Sequence, residues 1–185
     1  MPPDAARRSD RSRRAILLAA LELVEALGHS RLTIEAVAAR AGVGKQTIYR
    51  WWPSKGPLLF DAFLEFGPAG TDELPSGVLA VDLKRELRAA AEELAERRFD
   101  QVCRLLVHES RTDLVTLLLM PRRMALEERL HAARRLGDVR PDVDLSAAVE
   151  LLLGPVYQRW FLRTAPLTED FADAVVDLVL RALRT

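Results

Sequence analysis

A single cysteine, Cys103, in 185 residues leaves no intrachain disulfide and no multi-cysteine metal site. Aromatic residues are scarce, at 6%, and regular alternation of β-branched residues is missing, which removes the ordinary signature of a strand. No stretch approaches the run of about 18 apolar residues that spans a membrane. The opening Met1-Pro2-Pro3-Asp4 leads straight into charged residues, without the apolar core of a secretory signal. There is no glycine-rich phosphate loop. His108-Glu109 lacks the second histidine four residues on that a zinc-protease helix requires, and Cys103 has no evident adjacent base. These absences lead to the expectation of a cytoplasmic, non-enzymatic protein that uses no metal or cofactor and no membrane.

What is present is a helical composition. Apolar residues make up 49% and charged residues 29% of the chain, with Ala, Leu, Arg and Glu dominant, all of them good helix formers. The length supports one sizeable core, or a small module joined to a mid-sized one, so the chain should fold unaided. Net charge is zero, yet residues 1 to 56 hold ten Lys and Arg against five acids, which leaves +5 there and −5 in the remainder. Such a split points to one polyanion-binding end and a body kept away from that polyanion.

The periodicity predicts about nine helices. The first runs from about Asp10 or Ser12 to Leu27, on Ile16, Leu17, Ala20, Leu21, Val24 and Leu27, with Gly28 as its stop. Thr33 caps a short second helix that ends near Ala41, and Leu32 with Val37 makes a hydrophobic staple. Gly42 supplies the left-handed turn. Gly44 then caps a third helix that starts at Lys45, stapled by Val43 and Ile48 and ended by Pro53. Two short helices around a tight glycine turn form a helix-turn-helix. A fourth helix opens at Ser54-Lys55-Gly56-Pro57 and reaches about Phe66. The breaker-rich segment Gly67 to Asp72 marks a domain boundary, giving 10–69 and 70–185. Further helices are expected near 81–97, 100–110, 113–135, 145–162 and 168–183, with Pro121 and Pro155 kinking or breaking two of them.

In a helix-turn-helix the second helix enters the major groove with its N-terminal residues nearest the bases. Here these are Lys45, Gln46 and Thr47: Lys can donate to guanine, Gln can pair with adenine in bidentate fashion, and the Thr methyl can meet a thymine methyl. Gly44 allows close approach to a phosphate. Tyr49, Arg50, Trp51, Trp52 and Lys55 supply flanking donors where phosphates would lie, although one of the two tryptophans could instead fill the small domain's core. Lysine is disfavoured at the positive end of a helix, so Lys45 implies an anion in front of it.

Residues 32 to 51, from Leu-Thr-Ile-Glu-Ala-Val through Ala-Gly-Val-Gly-Lys-Gln-Thr-Ile-Tyr-Arg-Trp, followed by Trp-Pro-Ser-Lys, resemble the DNA-binding signature of TetR-family regulators. The resemblance covers about residues 10 to 66. It implies phosphate contacts at Thr33, Tyr49 and Lys55, and base-proximal roles for Lys45, Gln46 and Thr47. Two departures stand out: Gly44 replaces a common serine, and Gly56-Pro57 stand where an acidic or polar residue often opens the fourth helix. The resemblance also implies an all-α protein, with an N-terminal domain of three to four helices and a C-terminal bundle for dimerisation and ligand binding. The function it implies is a transcriptional repressor released from its operator by a small molecule. A ligand-independent regulator, an activator and a DNA-independent dimeric scaffold are the alternatives.

The sequence supports the dimer independently. In the last helix Asp173, Asp177 and Arg181 form one polar stripe, and Ser146, Glu150 and Gln158 form a similar narrow stripe in the helix before it. Helices apolar nearly all round are buried on two sides. A second copy is the expected cover, through Leu152, Val156, Phe171, Val175, Leu178 and Val179. A twofold homodimer would present its two reading helices to a palindromic double-stranded operator about 34–36 Å apart. Leu105, His108, Met120, Met124, Tyr157 and Trp160 are candidates to line a cavity for a small apolar ligand.

Overall fold

The computed structural model describes residues 3–67 and 74–184, with backbone only for 3–8. The domain boundary read at 68–72 and the side chains of Arg7 and Arg8 lie outside what is described. Among the described residues the fold is all helical, with nine helices: α1 (Pro3–Leu27), α2 (Ile34–Ala41), α3 (Lys45–Tyr49), α4 (Lys55–Phe66), α5 (Leu79–Ala95), α6 (Arg97–His108), α7 (Thr112–Leu136), α8 (Leu145–Leu162) and α9 (Glu169–Leu183). None of these helices is long and apolar enough to cross a membrane.

Packing divides the chain into two compact units, Met1–Gly70 with Arg97–Thr116, and Thr71–Glu96 with Leu117–Thr185. In the first, α1 is the central element and packs on α2, α4 and α6. Its stripe of Ile16, Leu17, Ala20, Leu21 and Val24 is buried, as are Val37 of α2, Leu58, Leu59 and Phe63 of α4, and Phe99 and Leu106 of α6. The rings of Phe63 and Phe99 meet edge to face at 5.1 Å, which joins α4 to α6. α6, which follows α5 in the chain, is thus part of the packing around the helix-turn-helix.

In the second unit α5, α8 and α9 pack together. Two aspartates of the α9 polar stripe pair with cations of α5. The Arg88 guanidinium donates to both oxygens of Asp173, at 2.7 and 2.6 Å, and the Lys84 ammonium lies 2.9 Å from Asp177. Asp173 is partly covered by this pairing, whereas Asp177 stays exposed at the edge of the α5–α9 contact. α5 also carries the buried acids Asp82 and Glu86. Glu86 accepts from Arg129 of α7 at 2.6 Å, and Asp82 accepts from the Ser76 amide at 2.9 Å and from Arg85 at 2.8 Å.

Two expectations about helix limits are corrected. α1 begins at Pro3, several residues before Asp10, because proline is well placed at a first helical position and the arginines after it favour helix. α7 and α8 continue through Pro121 and Pro155 without a break. Each proline removes one intrahelical hydrogen bond, a loss that packing along a long helix can offset.

The Asp82 carboxyl is pushed up by burial, but the Ser76 hydrogen bonds and the charges of Arg129 and Arg85 outweigh this and hold it below the ordinary aspartate value. A depressed acid contributes its stability above its unfolded pKa and loses it as pH falls through the folded one. Asp82→Ala should therefore cost about 3 kcal/mol at neutral pH, and the gap from wild type should narrow in strong acid. Urea unfolding at pH 7 and near pH 3 measures both; an equal gap at the two pH values would contradict the ion-pair account.

Candidate nucleic-acid interface

The chain reaches the reading helix through two capped turns. The Ala36 amide donates to the Thr33 hydroxyl oxygen at 3.1 Å, so Thr33 caps α2. Leu32 and Val37 on either side of that cap are fully buried. α2 ends at Gly42, whose φ of 67° places it in the left-handed region. Two residues later Gly44, in extended geometry, starts α3 without any side-chain cap. A Cβ built on Gly44 meets nothing within 4 Å, so the position is open, and a serine would fit there.

α3 is only five residues long, and two side chains hold it to the body. Ile48 is fully buried and Trp52, just beyond it, is 3% exposed. The Trp52 indole N–H donates to Asp61 Oδ2 of α4 at 2.8 Å. Trp52 is thereby removed from the expected phosphate contacts: its one donor is spent inside the unit and its ring is core. Trp51 stands against it edge to face at 5.4 Å and remains half-buried. The Arg50 guanidinium lies over the Trp51 ring at 5.3 Å, a cation–π contact that orients an exposed charge.

Lys45, Gln46, Tyr49 and Arg50 are exposed and Thr47 is half-exposed, so α3 presents one polar face. The Lys45 ammonium rests on Glu35 Oε1 of α2 at 3.0 Å. This hydrogen bond holds Lys45 above and Glu35 below their ordinary pKa values. The anion that the helix dipole called for is thus a carboxylate of the chain itself. Lys55 is also engaged: its ammonium donates to the Leu32 carbonyl at 3.0 Å, tying the start of α4 to the entrance of α2. One of its three hydrogens is used there, and the others stay available to a phosphate.

Sequence reasoning missed Glu35, Asp61 and Glu109. Glu35 was visible only as an acid in the first turn of α2. Asp61 and Glu109 act on partners 9 and 53 residues away, and no local pattern shows such pairings.

The remaining predicted sites are scattered. Leu105 is fully buried and His108 exposed, both in the first unit, whereas Met120, Met124, Tyr157 and Trp160 belong to the second. The six do not line a cavity within one unit, and Met124 is 61% exposed. Of the residues expected at the dimer interface, Leu152, Val156, Val175 and Val179 are buried within their own chain. Phe171 is half-buried under the Arg159 guanidinium, 3.3 Å from its ring centre. Of that set only Leu178, at 64%, is widely exposed, and Leu151 at 59% with Phe161 and Leu162 of α8 are exposed as well. The apolar periodicity was read correctly, but most of the named residues lie on its inward side.

A family model described as the tetracyclin repressor-like C-terminal domain matches residues 74–179, and one described as bacterial regulatory proteins of the tetR family matches residues 16–62. The chain belongs to the TetR family. It is similar to the HTH-type transcriptional regulator YdeS of Bacillus subtilis, 28% identical over 96% of this chain and 90% of the relative. It is also similar to the DNA-binding transcriptional repressor TetR of Mycobacteroides abscessus, 29% identical over 91% and 92%. Among solved structures, the TetR family transcription regulator SCO0332 aligns with a TM-score of 0.70 at 33% identity, over 94% of this chain and 99% of that one. A TetR regulator from Agrobacterium tumefaciens shares the fold, at a TM-score of 0.72 and 23% identity over 94% of each chain. As a TetR-family member the protein is a DNA-binding transcriptional regulator, and its family and fold are those of regulators and not of enzymes.

The division between buried anchor and exposed reading face gives a direct check. Trp52→Ala should cost about 3–5 kcal/mol of unfolding free energy, while Tyr49→Ala, at an exposed position, should stay within about 0.5 kcal/mol of wild type. Paired urea titrations measure both, and equal effects would mean that the two aromatics have been assigned the wrong sides.

Proposed function

We propose that this chain is a homodimeric repressor that binds a palindromic operator through α3 and is released by a small apolar ligand. The observation that carries the DNA reading is the polar, accessible face of α3 standing on a buried anchor. In this reading Lys45, Gln46 and Thr47 face base edges. Thr33, Tyr49, Arg50, Trp51 and Lys55 face phosphates, and Gly44 lets the backbone approach one closely. Thr33 keeps its hydroxyl proton for a phosphate because the cap uses only its oxygen as an acceptor. Lys45 leaves Glu35 when it meets DNA, exchanging one carboxylate for another anion. The DNA-binding domain spans residues 10–69, joined in its packing by α6, and the remainder of 70–185 serves dimerisation and ligand binding.

The second copy covers α8 and α9 on the side the core leaves open. Ala147, Leu151, Gly154, Gln158 and Phe161 are exposed along one face of α8 at alternating spacings of four and three, and Ala174, Leu178 and Ala182 continue the face on α9. Nothing lies within 4 Å of a Cβ built on Gly154, which leaves room for a close helix crossing. A small ligand would fit the second unit beside Met120, Tyr157 and Trp160, all half-buried. Repression is supported by the Mycobacteroides abscessus relative, whose name describes a DNA-binding transcriptional repressor. Release requires the ligand to bind one dimer geometry more tightly than the other.

Fluorescence anisotropy with a labelled duplex from the intergenic region beside this gene, against a scrambled duplex, tests the DNA reading. Tighter binding to the native duplex should survive physiological salt. It should fall about tenfold or more on Gln46→Ala, and Arg50→Ala should lower the slope of log affinity against log salt by about one. Equal binding to both duplexes, erased by salt, would leave only phosphate attraction. Light scattering tests the dimer: Leu151→Asp with Leu178→Asp should give a folded monomer, and a variant that stayed dimeric would place the interface elsewhere.

A further inference from the structure

The start of α4 departs from the TetR pattern at Gly56-Pro57, and the structure shows what replaces the missing residue. A helix leaves its first amides without intrahelical acceptors, and a serine cap with an acid three residues on is the usual local remedy. Here Ser54 occupies the cap position but its side chain caps nothing. Its hydroxyl instead donates to Glu109 Oε2 at 2.7 Å. Proline at position 57 has neither an amide to be satisfied nor a carboxylate to offer. The Gly56 amide donates to the same Glu109 oxygen at 3.0 Å. Glu109 follows the last residue of α6, so the cap comes from a helix that packs on α4 and not from the sequence around α4.

The fit explains the glycine. A Cβ on residue 56 would lie 2.6 Å from Glu109 Oε2 and 3.4 Å from Leu106 Cδ2, so any larger residue would push the carboxylate off. The two departures from a local cap and the distant acid are therefore one arrangement. Between Ser54 and Gly56 stands Lys55, whose ammonium holds the Leu32 carbonyl just before the Thr33 cap of α2. A carboxylate at the positive end of α4 also complements the helix dipole there.

We propose that Glu109 is a positioning residue for operator binding: it supplies from α6 the N-terminal cap that α4 lacks, and through Lys55 it fixes the entrance of α2 relative to the reading helix. This rests on the DNA reading above and adds to it a residue that touches no DNA. On the far side of Glu109 the chain turns at Ser110, with φ 56°, into α7. The acid thus sits at the corner between two helices.

Three variants of the full-length protein test it, each measured well below its melting temperature: Glu109→Ala, Glu109→Gln and the pair Glu109→Ala with Pro57→Glu, which restores a local cap. The first readout is amide exchange over residues 54–60, which requires no DNA. The second is affinity for a duplex enriched from a random pool by the wild-type protein. Glu109→Ala should speed exchange in that segment and weaken the duplex by about five- to tenfold, the scale of a lost cap. Glu109→Gln keeps an acceptor oxygen without the charge and should return to within about twofold, as should the pair. Unchanged exchange in Glu109→Ala would overturn the cap. Faster exchange with unchanged or tighter DNA binding would overturn the positioning role. Failure of the wild-type protein to enrich any duplex would defeat the DNA reading instead, with the exchange result still deciding the cap.

Discussion

α3 is too short to be helical on its own in water, so all that it presents depends on the burial of Ile48 and Trp52. Ile48 sits in the core of the first unit, and the Trp52 indole fills the space beside it with its N–H fastened to Asp61 of α4. That hydrogen bond ties the end of the reading segment to α4. Without the anchor, Lys45, Gln46 and Tyr49 would be a polar loop, and their ordering would have to be supplied by DNA at a cost in affinity.

Around this anchor, charges are placed according to whether they can be exchanged. On the reading face the Lys45–Glu35 pair is open to solvent and weak, so a phosphate or base can replace the carboxylate at little cost. Inside the second unit the Asp82, Glu86 and Arg129 group is buried, and breaking it strands a charge. The contrast lies between these two groups and not between the chain segments as wholes, since Arg13, Arg14 and Arg40 of the basic segment also pair within the chain.

Much of the DNA-binding half was legible because its determinants are local. The Thr33 cap, the Gly42 turn and the paired staples act within a few residues of one another, and the helix order followed from them. Which tryptophan is core was not legible, since the choice between Trp51 and Trp52 is made by Asp61 in another helix. Glu109 was invisible for the same reason, and Gly56 could be noted only as an oddity. In α8 and α9 periodicity established that two sides are apolar but could not say which faces the chain's own core, so Leu152 and Val156 were assigned outward while the exposed Leu151 was overlooked. The α9 aspartates could be read only as a polar stripe, without their partners, because the cations lie on α5, some 85 to 93 residues away.

The most direct test of the central claim is selection of binding sites from a random duplex pool by the purified wild-type protein, followed by sequencing. An inverted repeat with half-site centres about one helical turn apart is expected, each half-site losing its preference when Gln46 and Thr47 are replaced. A pool that stays random, or that enriches the same motif with those two residues removed, would contradict the account that α3 reads DNA.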